Sequence, residues 1–116
     1  MEPYEQMRDG LRMDPKLYEF LDAAQLVKHA FGLVTEGRRI GKAPVLLYLF
    51  AEPASRAGKP ISDSEHQAHR QEISRFASGV RDAEVRFAAC SYREWLTTWE
   101  GSVRDHAAAI ALRFAP

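Results

Sequence analysis

A run of six apolar or aromatic residues constrains the fold of this chain more than any other stretch. The run extends from Val45 to Phe50 without any alternation of polar and apolar positions, and Pro44 and Pro53 bracket it. It is far shorter than the ~20 apolar residues that a membrane-spanning helix needs. A short continuous apolar run between turn signals is typical of a strand that is buried on both faces. We therefore predict a central strand over residues 45–50, with helices packed above and below it.

The 116 residues are enough for one domain, and 46% of them are hydrophobic and can form its core, so we predict a single domain over residues 1–116. Sixteen basic and sixteen acidic side chains cancel, so there is no general attraction for nucleic acid, although a local basic patch is still compatible with this balance. The single cysteine, Cys90, cannot form an internal disulfide, which fits a reducing compartment. The N-terminal residues lack the apolar region of a signal peptide. We expect a cytoplasmic protein with no membrane partner.

The first half of the chain predicts one long helix before the central strand. Residues 1–13 are interpreted as a lead-in that holds at most a short helical turn. Asp14 followed by Pro15 is typical of a helix start, and apolar residues at helical spacing predict a helix over 15–34. Residues 35–43 are interpreted as a basic connector that leads into the strand.

The second half alternates helices and strands. A capping box at residues 62–65 predicts a helix over 63–79, and alternating apolar residues predict a strand over 84–90. Two further helix starts follow, at Ser91 and Ser102. The order is helix, strand, helix, strand, helix, helix. This order predicts an α/β fold in which helices cover a small, mostly parallel sheet and a right-handed crossover joins the strands.

A sheet of two strands is thin, and a strand as apolar as residues 45–50 should not lie at an edge. Three alternatives would cover it: residues 1–13 add a strand, a partner pairs with it, or the chain is the C-terminal part of a larger domain. We expect one of the last two. Either a homo-oligomer or a further N-terminal segment then covers the sheet edge.

Four stretches together resemble a known family. They are Asp22-Ala-Ala-Gln-Leu-Val-Lys-His-Ala-Phe-Gly-Leu33, the strand with its Glu-Pro end over 44–53, the helix segment 69–76, and the strand end 87–92. This combination resembles the C-terminal half of the restriction-endonuclease-like proteins, which carry the PD-(D/E)XK nuclease fold. The resemblance covers roughly residues 14–100 and is closest to uncharacterised bacterial members. It implies metal-dependent hydrolysis of phosphodiester bonds in nucleic acid, with Mg²⁺ or Mn²⁺ as cofactor.

The resemblance also implies that the metal site is missing. In that superfamily the metal-binding Asp and the Glu-x-Lys pair precede the helix, whereas only 13 residues precede Asp14 here and none of them forms Glu-x-Lys. Gln25, Lys28 and His29 match the helix that backs the active site. The resemblance therefore implies that these three candidate catalytic residues form one wall of the site. The alternative for these three residues is a solvated stripe on an amphipathic helix. Whether the chain is an enzyme stays open at this point.

The basic connector supplies the candidate substrate contacts. Arg38, Arg39 and Lys42 have the charge to bind a phosphate, and the alternative is a solvated loop. Other features have both a functional and a structural interpretation, and we expect the structural one for each. His66, His69 and Glu72 could bind a metal ion, and Glu52 is a carboxylate at the end of a strand. Cys90 is a free thiol, and Trp95 and Trp99 form a tryptophan pair.

Two functions are therefore expected from the sequence. The first is a truncated or degenerate PD-(D/E)XK nuclease-like domain without its own metal site. The second is a non-catalytic interaction or oligomerisation module that uses the sheet edge and the helix with Trp95 and Trp99 as its contacts.

Overall fold

The computed structural model describes residues 2–99 and 102–114, in which five helices and four strands are present. In chain order these elements are α1 Glu2–Met13, α2 Ala23–Ile40, β1 Val45–Phe50, β2 Ser55–Arg56, β3 Lys59–Pro60, α3 Asp63–Gly79, β4 Arg86–Ser91, α4 Tyr92–Leu96 and α5 Ser102–Phe114. Strands β1 and β4 form a small parallel sheet, and β2 and β3 form a separate antiparallel hairpin. The predicted α/β class is confirmed. No helix within the described ranges has both the length and the apolar character needed to cross a membrane.

The chain divides into two compact units. The first unit comprises Met1–Leu47 with Gln67–Ala88, and the second comprises Tyr48–His66 with Ala89–Pro116. Helices α1 and α2 and most of α3 belong to the first unit. The β2–β3 hairpin and the helices α4 and α5 belong to the second unit.

The first residues form a helix, so the prediction of a lead-in with at most one turn was wrong. Helix α1 has Glu2 and Glu5 in its first turn and Arg12 in its last turn, which is the arrangement that the helix dipole favours. Tyr4 of α1 is completely buried. The guanidinium of Arg8 lies 5.5 Å from the centre of the Phe31 ring of α2. These residues therefore contribute a helix that packs on α2, and they do not add a strand to the sheet.

Helix α2 begins eight residues later than the predicted start at Pro15 and ends six residues later than the predicted end at Val34. Asp22 is the N-cap, and its side chain accepts a hydrogen bond from the backbone N–H of Gln25. The C-cap is Gly41 with a φ of 68°, a left-handed conformation in which glycine carries no steric cost. The predicted basic connector over 35–43 is therefore largely helical.

Strand β1 occupies residues 45–50 as predicted, but it is not buried on both faces. Leu46 and Phe50 are buried, whereas Val45 is 52% exposed and Leu47 is 50% exposed. Successive side chains of a strand point to opposite faces. One face of the strand is therefore covered and the other is largely exposed at its start, although the sequence itself does not alternate.

The elements after β1 lie close to their predicted positions. The predicted capping box at the start of α3 is confirmed, because the N–H of Ser62 donates to the Glu65 carboxylate and the N–H of Glu65 donates to the Ser62 hydroxyl. Ser91 caps α4 by accepting from the N–H of Glu94. Strand β4 begins two residues after the predicted start at residue 84. Between β1 and α3 the chain forms the β2–β3 hairpin, and two residues with positive φ, Ala57 and Gly58, form its turn.

The core of the first unit is built around Phe76 of α3, which is completely buried. Three aromatic rings approach it edge-on: Tyr4 at 6.3 Å, Tyr18 at 6.2 Å and Phe87 at 5.0 Å between ring centres. Such edge-to-face pairs add to the stabilisation from burial alone. The Tyr4 hydroxyl is buried in this core without a hydrogen-bond partner, and burial raises the pKa of Tyr4 to about 12.

Candidate functional site

The candidate wall residues Gln25, Lys28 and His29 lie near the start of α2 and are all exposed. The Nε2 atoms of Gln25 and His29 are 3.2 Å apart, so these two side chains form a hydrogen-bonded pair. Lys28 is three residues from Gln25, a spacing that places both on the same helix face. The structure therefore brings together one cationic and two polar side chains on a solvent-facing surface.

The candidate phosphate contacts lie at the other end of the same helix. Ten residues separate Lys28 from Arg38, which corresponds to about 15 Å along a helix axis. Lys42 follows the C-cap and is exposed. The two predicted sets of site residues are therefore not brought together in one site.

Both arginines of this set are engaged by carboxylates. Arg38 forms a bidentate pair with Glu84, with Nε–Oε2 and Nη2–Oε1 distances of 2.9 and 2.7 Å. Arg39 forms a similar pair with Glu36, one helical turn earlier. The hydrogen bonds from the arginines hold the pKa values of both carboxyl groups below the ordinary value. A phosphate would have to compete with these carboxylates for the guanidinium groups.

The histidines and acids proposed as a metal set have other contacts. The Nε2–H of His66 donates to the carbonyl oxygen of Pro53 over 2.8 Å, which places the proton of the neutral imidazole on Nε2. The Glu72 carboxylate accepts backbone hydrogen bonds. Across the residues that the structure describes, no group of three or more His, Cys, Asp or Glu side chains is placed to hold a metal ion.

The contacts of Glu72 are a feature that the sequence analysis missed. Its Oε1 accepts from the N–H groups of Phe20 and Leu21 at 2.8 and 3.0 Å, and its Oε2 accepts from the N–H of Glu19 at 2.9 Å. Burial by itself raises the pKa of Glu72, but these three donors and the nearby Arg75 outweigh it and lower the pKa below the ordinary value. No local signal predicts this arrangement, because the partners are about 50 residues apart in the sequence.

Arg75, one turn further along α3, holds the same segment. It donates to the carbonyl oxygen of Leu17 over 2.7 Å, and its guanidinium lies 4.5 Å from the centre of the Tyr18 ring. Beside this segment is a cavity of about 360 Å³, whose lining includes Tyr18, Phe20 and the N-cap Asp22. Glu72 and Arg75 therefore bind segment 14–22 from one side and shape the wall of this cavity.

Strand β1 carries an exposed apolar surface. In the described part of the chain, β4 is the only strand paired with β1, and the pairing begins where the N–H of Arg86 donates to the carbonyl oxygen of Pro44. Val45 and Leu47 therefore form a half-exposed apolar surface on a strand that has one neighbour.

The remaining candidates have mainly structural contacts. The half-buried thiol of Cys90 donates to the carbonyl oxygen of Ser91 over 3.2 Å. Glu52 is half-buried just after β1. Trp95 and Trp99 pack edge-to-face with ring centres 4.9 Å apart, and Trp95 is partly exposed. The Trp95 ring therefore packs on Trp99 and remains partly accessible to solvent.

Comparison of the chain with protein-family models, with curated proteins and with solved structures finds no match. The resemblance of residues 14–100 to the restriction-endonuclease-like proteins accordingly stays a prediction from the sequence.

Proposed function

We propose that this chain is a non-catalytic interaction module that associates with a second copy of itself through the edge of β1. One observation carries this proposal: within the described residues β4 is the only strand that pairs with β1, and Val45 and Leu47 on one face of β1 are half exposed. Natural proteins protect exposed strand edges with charges, prolines or bulges within the strand. None of the six residues of β1 is charged or a proline, so the strand itself carries neither of these two protections.

A second copy of the chain suits this edge for reasons of symmetry. Two identical β1 strands can pair antiparallel about a two-fold axis perpendicular to the sheet, so that each copy makes the same contacts. In a register centred on Leu47, this residue lies opposite its own counterpart, and Val45 lies on the same face. Two sheets of two strands then become one sheet of four strands. A sheet of three or more strands with an apolar face is far more stable than a two-stranded sheet.

The size of this contact sets the expected affinity. Stable interfaces bury about 1,200–2,000 Å² in total, and the pairing of one short strand contributes only part of that area. We therefore expect the dimer to depend on protein concentration.

Sedimentation velocity over a concentration series tests this proposal. The wild type should shift towards a dimer as the concentration rises. Leu47→Lys should remain a monomer at every concentration, because it places two like charges directly opposite each other at a Cβ separation of about 5 Å.

Leu112→Lys is the matched control, since Leu112 of α5 is 87% exposed and lies outside the sheet. It should associate as the wild type does. A monomeric wild type, or a Leu47→Lys variant that is folded by circular dichroism and still forms the dimer, would contradict the proposal.

A second candidate function is contact with nucleic acid, as the sequence resemblance implies. The observation that favours it is the joint exposure of Gln25, Lys28 and His29 on α2. A cleavage assay on DNA and RNA with Mg²⁺ or Mn²⁺, in wild type and Lys28→Ala, tests this function. Cleavage that Lys28→Ala reduces would support it, and the absence of cleavage by the wild type would count against a catalytic role.

A further inference from the structure

We propose that the cavity between α4 and α5 binds a small amphipathic carboxylate. This cavity lies within the second unit, has a volume of about 220 Å³, and is lined by residues that lie outside β1. Its lining consists of Arg93, Leu96 and Thr97 from the α4 region and Arg104, Ala107 and Ala108 from α5.

The lining follows one pattern on both helices. In each helix an arginine is followed three and four residues later by smaller residues that line the same cavity. This i, i+3, i+4 spacing places the three side chains on one helix face. Leu96 and Ala107 are buried and form an apolar floor, whereas Arg93 and Arg104 are exposed at the rim. The cavity therefore combines an apolar floor with a cationic rim.

The charge around the cavity differs from that of the whole chain. The chain has no net charge, but both charged side chains that line the cavity are arginines. The acidic neighbours Glu94 and Asp105 follow the arginines directly in sequence, so each points about 100° away around its helix and does not line the cavity. In contrast to Arg38 and Arg39, Arg93 and Arg104 form no ion pair with a carboxylate among the described residues.

These properties define the ligand. An arginine guanidinium binds a carboxylate through two parallel hydrogen bonds, which a lysine cannot reproduce. The apolar floor suits a short hydrocarbon chain. The volume is below the ~300–1,000 Å³ of pockets for drug-sized molecules, which favours a small acid over a large cofactor.

Titration of the ¹⁵N-labelled full chain with sodium hexanoate at constant ionic strength tests this site. Amide signals of Leu96, Ala107 and Ala108 should move and saturate. Hexan-1-ol, which has the same chain length without the charge, should bind more weakly. Arg104→Gln should weaken hexanoate binding about three- to fivefold, the effect expected for one exposed ion pair.

Arg113→Gln is the matched control, because Arg113 is an exposed arginine of α5 that does not line the cavity. Its hexanoate affinity should equal that of the wild type. Three outcomes would overturn the proposal: amide shifts that do not saturate or lie elsewhere, equal affinity for hexanoate and hexan-1-ol, or an unchanged affinity of Arg104→Gln. Since Arg104 is exposed, Arg104→Gln should keep the wild-type spectrum without ligand, and its affinity can be compared directly with that of the wild type.

Discussion

Replacing Glu72 with glutamine tests how the structure holds residues 14–22. In the wild type, one ionised carboxylate accepts three consecutive backbone N–H groups, from Glu19, Phe20 and Leu21. Glutamine keeps the shape of the side chain but has only one acceptor oxygen. It can retain the bonds to Phe20 and Leu21 in a weaker, neutral form, and its NH₂ group would face the N–H of Glu19.

The magnitude follows from these bonds. Hydrogen bonds to charged groups contribute about 1.5–3 kcal/mol each when they are buried, and exposed ionic contacts contribute much less. Because Glu72 is half-buried, we expect Glu72→Gln to lower the free energy of unfolding by about 1–3 kcal/mol at neutral pH. Urea denaturation measures this loss, and hydrogen exchange of the amides of residues 19–21 should accelerate.

The effect should depend on pH with a defined sign. The pKa of Glu72 is lower in the folded chain than in the unfolded chain. The carboxylate therefore contributes its full stability above the unfolded pKa, and this contribution is lost as the pH falls through the lower folded pKa. Wild type and Glu72→Gln should differ in stability at neutral pH and converge in acid.

Glu19→Gln is the control, because it removes a charge from the same segment while the backbone N–H of residue 19 still reaches Glu72. It should change stability much less than Glu72→Gln does. Two results would contradict this role of Glu72: wild-type stability with slow exchange at residues 19–21 in Glu72→Gln, or the same pH dependence in both variants.

Two further substitutions test the packing and the helix capping. Tyr4→Phe removes a buried hydroxyl that has no partner, so it should be neutral or stabilise the chain by up to about 1 kcal/mol. Thermal or urea denaturation measures this change. A loss of stability above about 1 kcal/mol would contradict this account of the core. Ser91→Ala should destabilise the chain by about 1 kcal/mol, because the Ser91 hydroxyl caps α4. Equal stability of Ser91→Ala and wild type would argue against the cap.

The elements that were predicted well are those whose signals are local. The capping box of α3 joins Ser62 and Glu65, which are three residues apart, and the cap of α4 joins Ser91 and Glu94 at the same spacing. The polar face of α2 with Gln25 and His29 likewise follows from helical spacing. Such contacts need no other part of the chain, so the sequence predicts them.

The start of α2 shows why local signals fail elsewhere. Asp14 and Asp22 both have the chemistry of an N-cap, and Asp14 caps only a turn, accepting from the N–H of Lys16. A helix that began at Pro15 would use the N–H groups of residues 19–21 for its own carbonyl oxygens. Glu72 takes those three donors instead, and Arg75 takes the carbonyl oxygen of Leu17. Tertiary contacts from α3 therefore decide where this helix begins.

The surfaces on which the proposals rest show the same contrast between local sequence signals and long-range packing. The apolar run of residues 45–50 is enough to predict a strand, because a short continuous apolar run between two prolines is typical of one. The tertiary structure leaves Val45 and Leu47 half exposed, since exposure depends on how many strands and helices pack against a strand. It likewise decided that Arg38 pairs with Glu84, which is 46 residues away, while Arg93 and Arg104 line a cavity. Local sequence determines which element forms, and long-range packing determines which of its side chains remain available for binding.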